Sequence, residues 1–365
     1  MCVSIPNPYP TQLNSQNTHI TGTTEIRIGA DIHDYASPLC VSCEPDASYE
    51  SKIDKAVNLL IGSGMYLRDC KLWIIPAVSL NWRSQEEQIM WNLMQKYEVM
   101  AVGVAPAGVP ALLKSGSTTG VVVEMGENFT FIEPIYDGQL LHAHRFLPLG
   151  GAHISKQLRR HLEGRGYGLP ENVVEDMKKK HCIVALNSAH ARNLPTAHHK
   201  LDEKTTIKLS GKIRSKCCEV LFNPALGGKM MEGLPMLIHE CIFECPIDCR
   251  KALMQNIFLV GGVAATPGMA QRVEKELKEI ESSLKVVVRT PASGDDANQS
   301  DKTKQEITQA QKCRWAMYQG SWQMMMSDDY ISYTDKTFCL RDDIKDMSQE
   351  QAMHVFESLA HVHQM

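Results

Sequence analysis

The sequence predicts an α/β protein, one large two-lobed unit or two to three domains, with helices packed over β-sheet. Three observations carry this. Apolar residues recur at helical spacing in several stretches, short β-branched runs stand between them, and 365 residues exceed what one hydrophobic core usually supports. With 43% hydrophobic and 22% charged residues the chain reads as globular, not disordered. A formal net charge of -4 leaves no broad basic field, which argues against general nucleic-acid binding. No apolar run approaches the roughly 20 residues of a membrane helix. The opening MCVSIPNPYPTQLNSQNTH has neither the basic start nor the apolar stretch of a secretory leader. Twelve cysteines are too dilute for a disulfide scaffold and are expected as reduced thiols. Cys40 and Cys43 form a C-x-x-C without a second pair, short of the four ligands of a structural zinc site.

Taken in order, residues 1–24 are rich in Asn, Thr, Pro and Ser and read as a flexible N-terminal tail. Extended pieces follow around Ile26, Ile28, Leu39 and Val41. Ile53, Val57, Leu60 and Ile61 recur at helical spacing, and Leu72 to Ile75, ending at Pro76, reads as a buried strand. Ser84 and Glu87 form a capping box before Ile89, Met90, Leu93 and Met94. A strand over 98–104 and a short helix over 109–114 come next. Strands at 120–124 and 129–135 make a hairpin with a Gly-centred tip. Ile154, Leu158 and Leu162 define a helix stopping at Gly164, and Pro170 opens another through Lys180. The polar, His-rich segment 188–205, with His198 and His199 adjacent, reads as a solvated loop. Helices are expected at 213–222, 234–244 and 247–255. The strand 257–260 then runs into Gly261-Gly262, Pro267 sits at the first position of a helix carrying Val273, Leu277 and Ile280, and 284–288 is a strand. Residues 292–312 are poor in large apolar groups and look like a mobile insertion, followed by helices near Trp315 and over 348–362. Cys241, Cys245 and Cys249 repeat every four residues and are expected as packed thiols.

Two motifs carry chemistry. In residues 118–138 a strand ends in an acid and turns over glycine, which can present backbone N–H groups to a phosphate with an acid nearby. In residues 245–272 a buried strand enters Gly-Gly, where a ligand or another backbone can approach closely. Each is weak alone; their order and spacing make a stronger case. SGSTTGVVVEMG (115–126) with PIYDG (134–138), DMKKKHCIVAL (176–186) and NIFLVGGVAATPGMAQR (256–272) resemble actin and its relatives.

That resemblance covers roughly residues 50–330 and implies an α/β, actin-like two-lobed fold with an ATP site between the lobes. It divides the chain into a tail over 1–24, a truncated small lobe over 25–114 plus 313–365, and a large lobe over 115–312 containing the insertion. The residues implied for nucleotide binding are Glu124, Gly126, Glu127, Asn128, Gly151, Lys178, Gly261 and Gly262, with ATP or ADP and Mg as a structural ligand. FLPLGG (146–151), KIRSKCCEVLF (212–222) and CPIDCRKALMQN (245–256) resemble the branch that ends the short actin-like filament of dynactin. This branch implies a cytoplasmic, cytoskeletal location. It also implies, as partners, a filament subunit against the large lobe and the region of Trp315 and Trp322, and other pointed-end subunits on the truncated side.

Departures from the family define the expected activity. No Asp-x-Gly of a first phosphate hairpin occurs in the first 120 residues. The second hairpin carries longer acids, Glu124 and Glu127, and Asn128 replaces a glycine. The family's water-orienting glutamine and histidine fall on Ala107 and Phe131, which cannot position a nucleophile, and the acid after Lys178 is Lys179. The expectation is a protein with no catalytic residue and no catalytic metal. Only about a dozen residues lie between Pro38 and the helix near Lys52, so the small pointed-end subdomain is expected to be reduced or missing. Three other roles stay open: a nuclear actin-related scaffold in a chromatin-remodelling complex, an active actin-like or sugar-kinase-like ATPase, and a lineage-specific cytoskeletal protein.

Overall fold

A computed structural model of the protein describes residues 83–104, 107–203 and 205–291. It also describes strand residues 2–5, 24–28, 39–43, 71–76 and 338–340, scattered positions within 54–68 and 312–316, and residues 344 and 346–362. The chain divides into two compact units, Met1–Lys114 with Met317–Met365, and Ser115–Ala316. The first unit opens with strands β1 (Cys2–Ile5), β2 (Thr24–Ile28), β3 (Leu39–Cys43) and β4 (Lys71–Pro76). Helix α1 (Arg83–Lys96), strand β5 (Ala101–Val104) and helix α2 (Gly108–Lys114) follow. The second unit begins with β6 (Gly120–Met125), β7 (Thr130–Tyr136), β8 (Gln139–Leu140) and β9 (Arg145–Leu147). Its middle holds α3 (Gly151–Glu163), α4 (Glu171–His181), α5 (Ser188–Asn193), β10 (Ala197–Lys200), β11 (Thr206–Leu209), α6 (Gly211–Lys216) and a 3-10 turn over Cys217–Leu221. It ends with α7 (Leu234–Glu244), α8 (Ile247–Met254), β12 (Ile257–Val260), α9 (Met269–Ile280) and β13 (Val288–Arg289). The chain then returns to the first unit with β14 (Phe338–Leu340) and α10 (Gln349–Val362).

In the first unit the strand order is β14-β5-β4-β1-β2-β3. Strand β1 pairs in parallel with β4, Val3 opposite Ile74, and antiparallel with β2, Val3 opposite Ile28. This corrects the reading of residues 1–24 as a loose tail: Cys2–Ile5 is an inner strand. Four residues of mixed character carry too little periodicity to announce a strand, and pairing on both sides supplies the stability that local propensity does not. A β1–β2 strand pair therefore lies in the stretch that carries no Asp-x-Gly; residues 6–23 between the strands lie outside the described residues. Strand β5 begins at Ala101 rather than 98, because Glu98 takes a positive φ of 53° that no extended run accommodates. Helix α10 packs on α1 and buries Phe356, while α1 buries Leu93 and Met94.

The second unit is built on the order β13-β12-β6-β7-β8, with β9 also against β7. Strands β6 and β12 run parallel, and every residue of both is buried, as a sheet covered on two faces demands. One continuous core joins Val121, Val123 and Leu259 of the sheet to Leu158 of α3, Ile238 of α7 and Val273 of α9. The solvated loop expected over 188–205 is replaced by helix α5 and the antiparallel pair β10–β11. Within β10 the side chains alternate, so His199 turns inward at 8% exposure while His198 stays in solvent, and Ile207 and Leu209 of β11 complete the buried face. Helix α9 starts at Met269 after Gly268, so Pro267 precedes the helix instead of opening it, and the expected strand over 284–288 narrows to Val288–Arg289. Residues 292–311, and the expected helix beyond Ala316, fall outside the described residues. Among the described residues no helix is long and apolar enough to cross a membrane.

Candidate functional site

The hairpin tip between β6 and β7 gathers most of the expected binding residues. Glu124, next to last in β6, is buried at 8% exposure, opposite Phe131 in the antiparallel register. The tip closes on itself, Gly126 N–H donating to the Phe129 carbonyl at 3.0 Å. Helix α3 then docks its N-terminus on the tip: Gly151 N–H donates to the Gly126 carbonyl at 3.0 Å and Ala152 N–H to that of Glu127 at 2.7 Å. Gly150 N–H donates to Nδ1 of His153 at 3.2 Å. A helix N-terminus is ordinarily a ready anion site because its first N–H groups lack partners. Here three of those donors are spent on the hairpin and on a histidine.

Lys178 of α4 spans the adjacent space. Its ammonium lies 3.2 Å from Glu127 Oε2 and 2.6 Å from Glu175 Oε2, and Ser155 Oγ donates to Glu175 at 2.9 Å. Burial pushes the Glu175 carboxyl up, but the Lys178 charge and the hydrogen bonds from Lys178 and Ser155 outweigh it and hold the group below its ordinary value. The Glu127 carboxylate folds over Gly151 so closely that an added Cβ would meet Oε2 at 2.4 Å. Lys179, in place of an acid, bridges out to Glu175 Oε1 at 3.3 Å. Asn128 is exposed at the tip.

Gly261 and Gly262 follow β12. Gly261 has φ 93°, its N–H donates to the Cys313 carbonyl at 2.9 Å, and a Cβ there would strike the Met125 carbonyl at 2.4 Å. The close approach foreseen for a ligand or another backbone is thus made by backbone, at the end of β6. Gly262 is exposed with open space around it. Phe131 is buried at 5% exposure, its ring tilted against His144 and edge-on to Phe146, and Ala107 is buried at 2%. Farther along, Arg272 of α9 reaches both oxygens of Glu219 at 3.2 Å, bonds Glu276 and the Ala185 carbonyl, and covers the Phe222 ring at 4.7 Å. The family-like segment from Asn256 to Arg272 is in this way tied into the unit by a bidentate cation.

The structure brings Glu124, Gly126, Glu127, Asn128, Gly151 and Lys178 into one neighbourhood and sets Gly261 against Met125, a contact the sequence did not announce. Sequence reasoning missed His153, which carries no motif signal. It also missed that Cys182 meets Cys217 and Cys218, of which only the adjacent pair was visible in the sequence.

These features define an α/β protein with a glycine-turned hairpin on a mixed sheet. The chain belongs to the actin family, whose model matches residues 69–301, and it has the actin-like α/β fold. It is similar to actin-related protein 2 of Acanthamoeba castellanii, 31% identical over 224 residues, and to actin-related protein 2 of Caenorhabditis briggsae, 33% identical over 224 residues. The matched part is 58% of this chain in both cases, and it spans 57% and 56% of those relatives.

Proposed function

We propose that this chain is a non-catalytic actin-related subunit that caps the pointed end of the actin-like filament in a dynactin-type complex and so supports dynein-driven transport along microtubules. The observation that carries the proposal is the shortness of the connection after β3. Positions 44–53 alone separate Cys43 from Asp54, the first helical position described after it. A gripping module of several strands needs more chain than this. Losing one half of a head-to-tail contact stops open-ended growth while leaving the other half able to dock on a filament. The likeness of segments 146–151, 212–222 and 245–256 to that branch supports the reading.

The same reading makes the nucleotide dispensable. Residues that fit a phosphate cradle leave donors aimed at the anion. The Gly126, Gly151 and Gly261 N–H groups are each bonded within the protein, and Lys178 lies between two carboxylates. With Ala107 and Phe131 where the family places water-orienting groups, these residues do not fit an ATP–Mg site working by in-line hydrolysis.

The test is isolation of the tagged full chain from its own cells, with a phosphate-release assay on the purified product. Recovery with dynein and dynactin subunits and phosphate release at background support the reading. Recovery with a chromatin-remodelling motor, or turnover at the rate of an actin control, overturns it.

A further inference from the structure

Outside the hairpin site three thiols converge. Cys182 follows the last turn of α4, and Cys217 and Cys218 open the 3-10 turn. Their Sγ atoms all lie within 4.8 Å of one another, Cys182 and Cys217 at 3.3 Å, with Cys217 and Cys218 at 0% exposure and Cys182 at 6%. None is in a disulfide. The triangle is held by backbone: Cys182 N–H donates to the Lys178 carbonyl at 3.1 Å and Ile183 N–H to the Arg214 carbonyl at 3.2 Å, while Arg214 Nε donates to the His181 carbonyl at 2.8 Å. The end of α4 and the segment leading into the 3-10 turn are therefore locked together on either side of the sulfurs, the support a metal site requires.

An ion bonded at about 2.3 Å to each of three sulfurs spaces them roughly 3.8–4.0 Å apart. That separation falls inside the observed spread and asks only a small parting of Cys182 from Cys217. We propose that Cys182, Cys217 and Cys218 bind one soft d10 cation through three thiolates, Cu(I) in preference to Zn(II). Softness follows from an all-sulfur donor set. The preference follows from the donor number: structural zinc takes four ligands, and among the described residues this group offers three and no histidine or carboxylate joins it. Loading breaks three S–H bonds, forms three Cu–S bonds and releases three protons to solvent, with no change in oxidation state. Lys178, one turn before Cys182, places positive charge near that sulfur.

The experiment uses the full chain, reduced, metal-free and anaerobic, titrated with Cu(I) presented as its coloured bicinchoninate complex. One equivalent is expected to transfer, with a sulfur-to-copper charge-transfer band in the near ultraviolet. Maleimide labelling in mild denaturant, which opens these buried thiols in the metal-free protein, read by mass spectrometry, should then find Cys182, Cys217 and Cys218 protected by the bound copper. Cys217→Ala and Cys218→Ala should each weaken uptake at least tenfold, and Cys241→Ala, at a buried thiol elsewhere, should leave it unchanged. No transfer, protection of other cysteines, or uptake of Zn(II) but not Cu(I) overturns the proposal. The labelling arm uses the unsubstituted protein, so it decides between binding and no binding even where a variant fails to fold.

Discussion

Gly150 and Gly151 sit side by side at the head of α3, and the cost of a methyl group should differ sharply between them. A Cβ on Gly150 meets the carbonyl oxygens of Gly126 at 2.4 Å and Glu127 at 2.7 Å, backbone atoms that cannot turn away. A Cβ on Gly151 meets Oε2 of Glu127 and Nζ of Lys178, the free ends of flexible side chains. Glu127 is half-exposed, and an ion pair of that kind contributes at most about 1 kcal/mol. Gly150→Ala should therefore destabilise by about 2–3 kcal/mol through forced displacement of the hairpin tip. Gly151→Ala should stay within about 1 kcal/mol of the parent, since alanine also favours the helix. Chemical denaturation of both variants measures this; equal losses would mean that the contact to the hairpin is not what selects glycine. At this scale the sequence marked a place of close approach without saying what approaches. Gly261 stood out because glycine admits a ligand or another backbone, and it is the Met125 carbonyl that comes close; Gly151, implied by the resemblance, lies under the protein's own Glu127 carboxylate. A motif records that space is needed and not what fills it.

The start of α3 contains a pH-sensitive cap. His153 accepts the Gly150 N–H through Nδ1, which requires a neutral ring. Burial, helped by the charges of Lys229 and Lys156, lowers its pKa from 6.5 to about 4. Between those values the unfolded chain holds a proton that the folded protein does not, so stability rises with pH across the window. The contribution is complete above 6.5 and lost as pH falls toward 4. The full interval is worth about 3 kcal/mol, and solvent around the partly exposed ring reduces this to about 1–2 kcal/mol. His153→Gln keeps an acceptor and does not titrate. The difference in melting temperature between parent and variant should change between pH 7 and pH 4.5, with Glu175 and the other carboxylates common to both. A constant difference would rule out the cap. At the level of elements, legibility followed apolar periodicity. α3, α7 and β12 were readable because 3.6-residue stripes or a continuous apolar run are local signals. β1 was not, because its stability comes from partners at β2 and β4, and β10 was not, because an inward-facing histidine hid the alternation carried by β11.

At the scale of the whole molecule the question is what holds the actin-like body in shape if a nucleotide does not. A ligand bound only to the folded state adds RT ln(1 + [L]/Kd), about 2.7 kcal/mol at a hundredfold excess over Kd. For units of this size that is a rise of roughly 5–10 °C in melting temperature. The second unit already satisfies the groups such a ligand would bind: hairpin tip to α3, Glu127 to Lys178, Gly261 to Cys313. Its sheet and helices share one buried core that reaches from Val121 to Leu277. The sequence exposed the altered acids and the absent Asp-x-Gly, but these internal bonds join residues dozens of positions apart and only the fold brings them together. Thermal unfolding followed by fluorescence should consequently shift by less than about 1 °C in millimolar Mg–ATP or Mg–ADP, against a clear rise in an actin control run beside it. Glu127→Ala frees the Lys178 ammonium of one carboxylate and opens the space over Gly151, so this variant should gain whatever weak nucleotide response the fold still permits. A parent protein whose melting temperature climbs by several degrees in proportion to the logarithm of nucleotide concentration would show that the internal bonds yield to a ligand, and that the body is held together as actin's is.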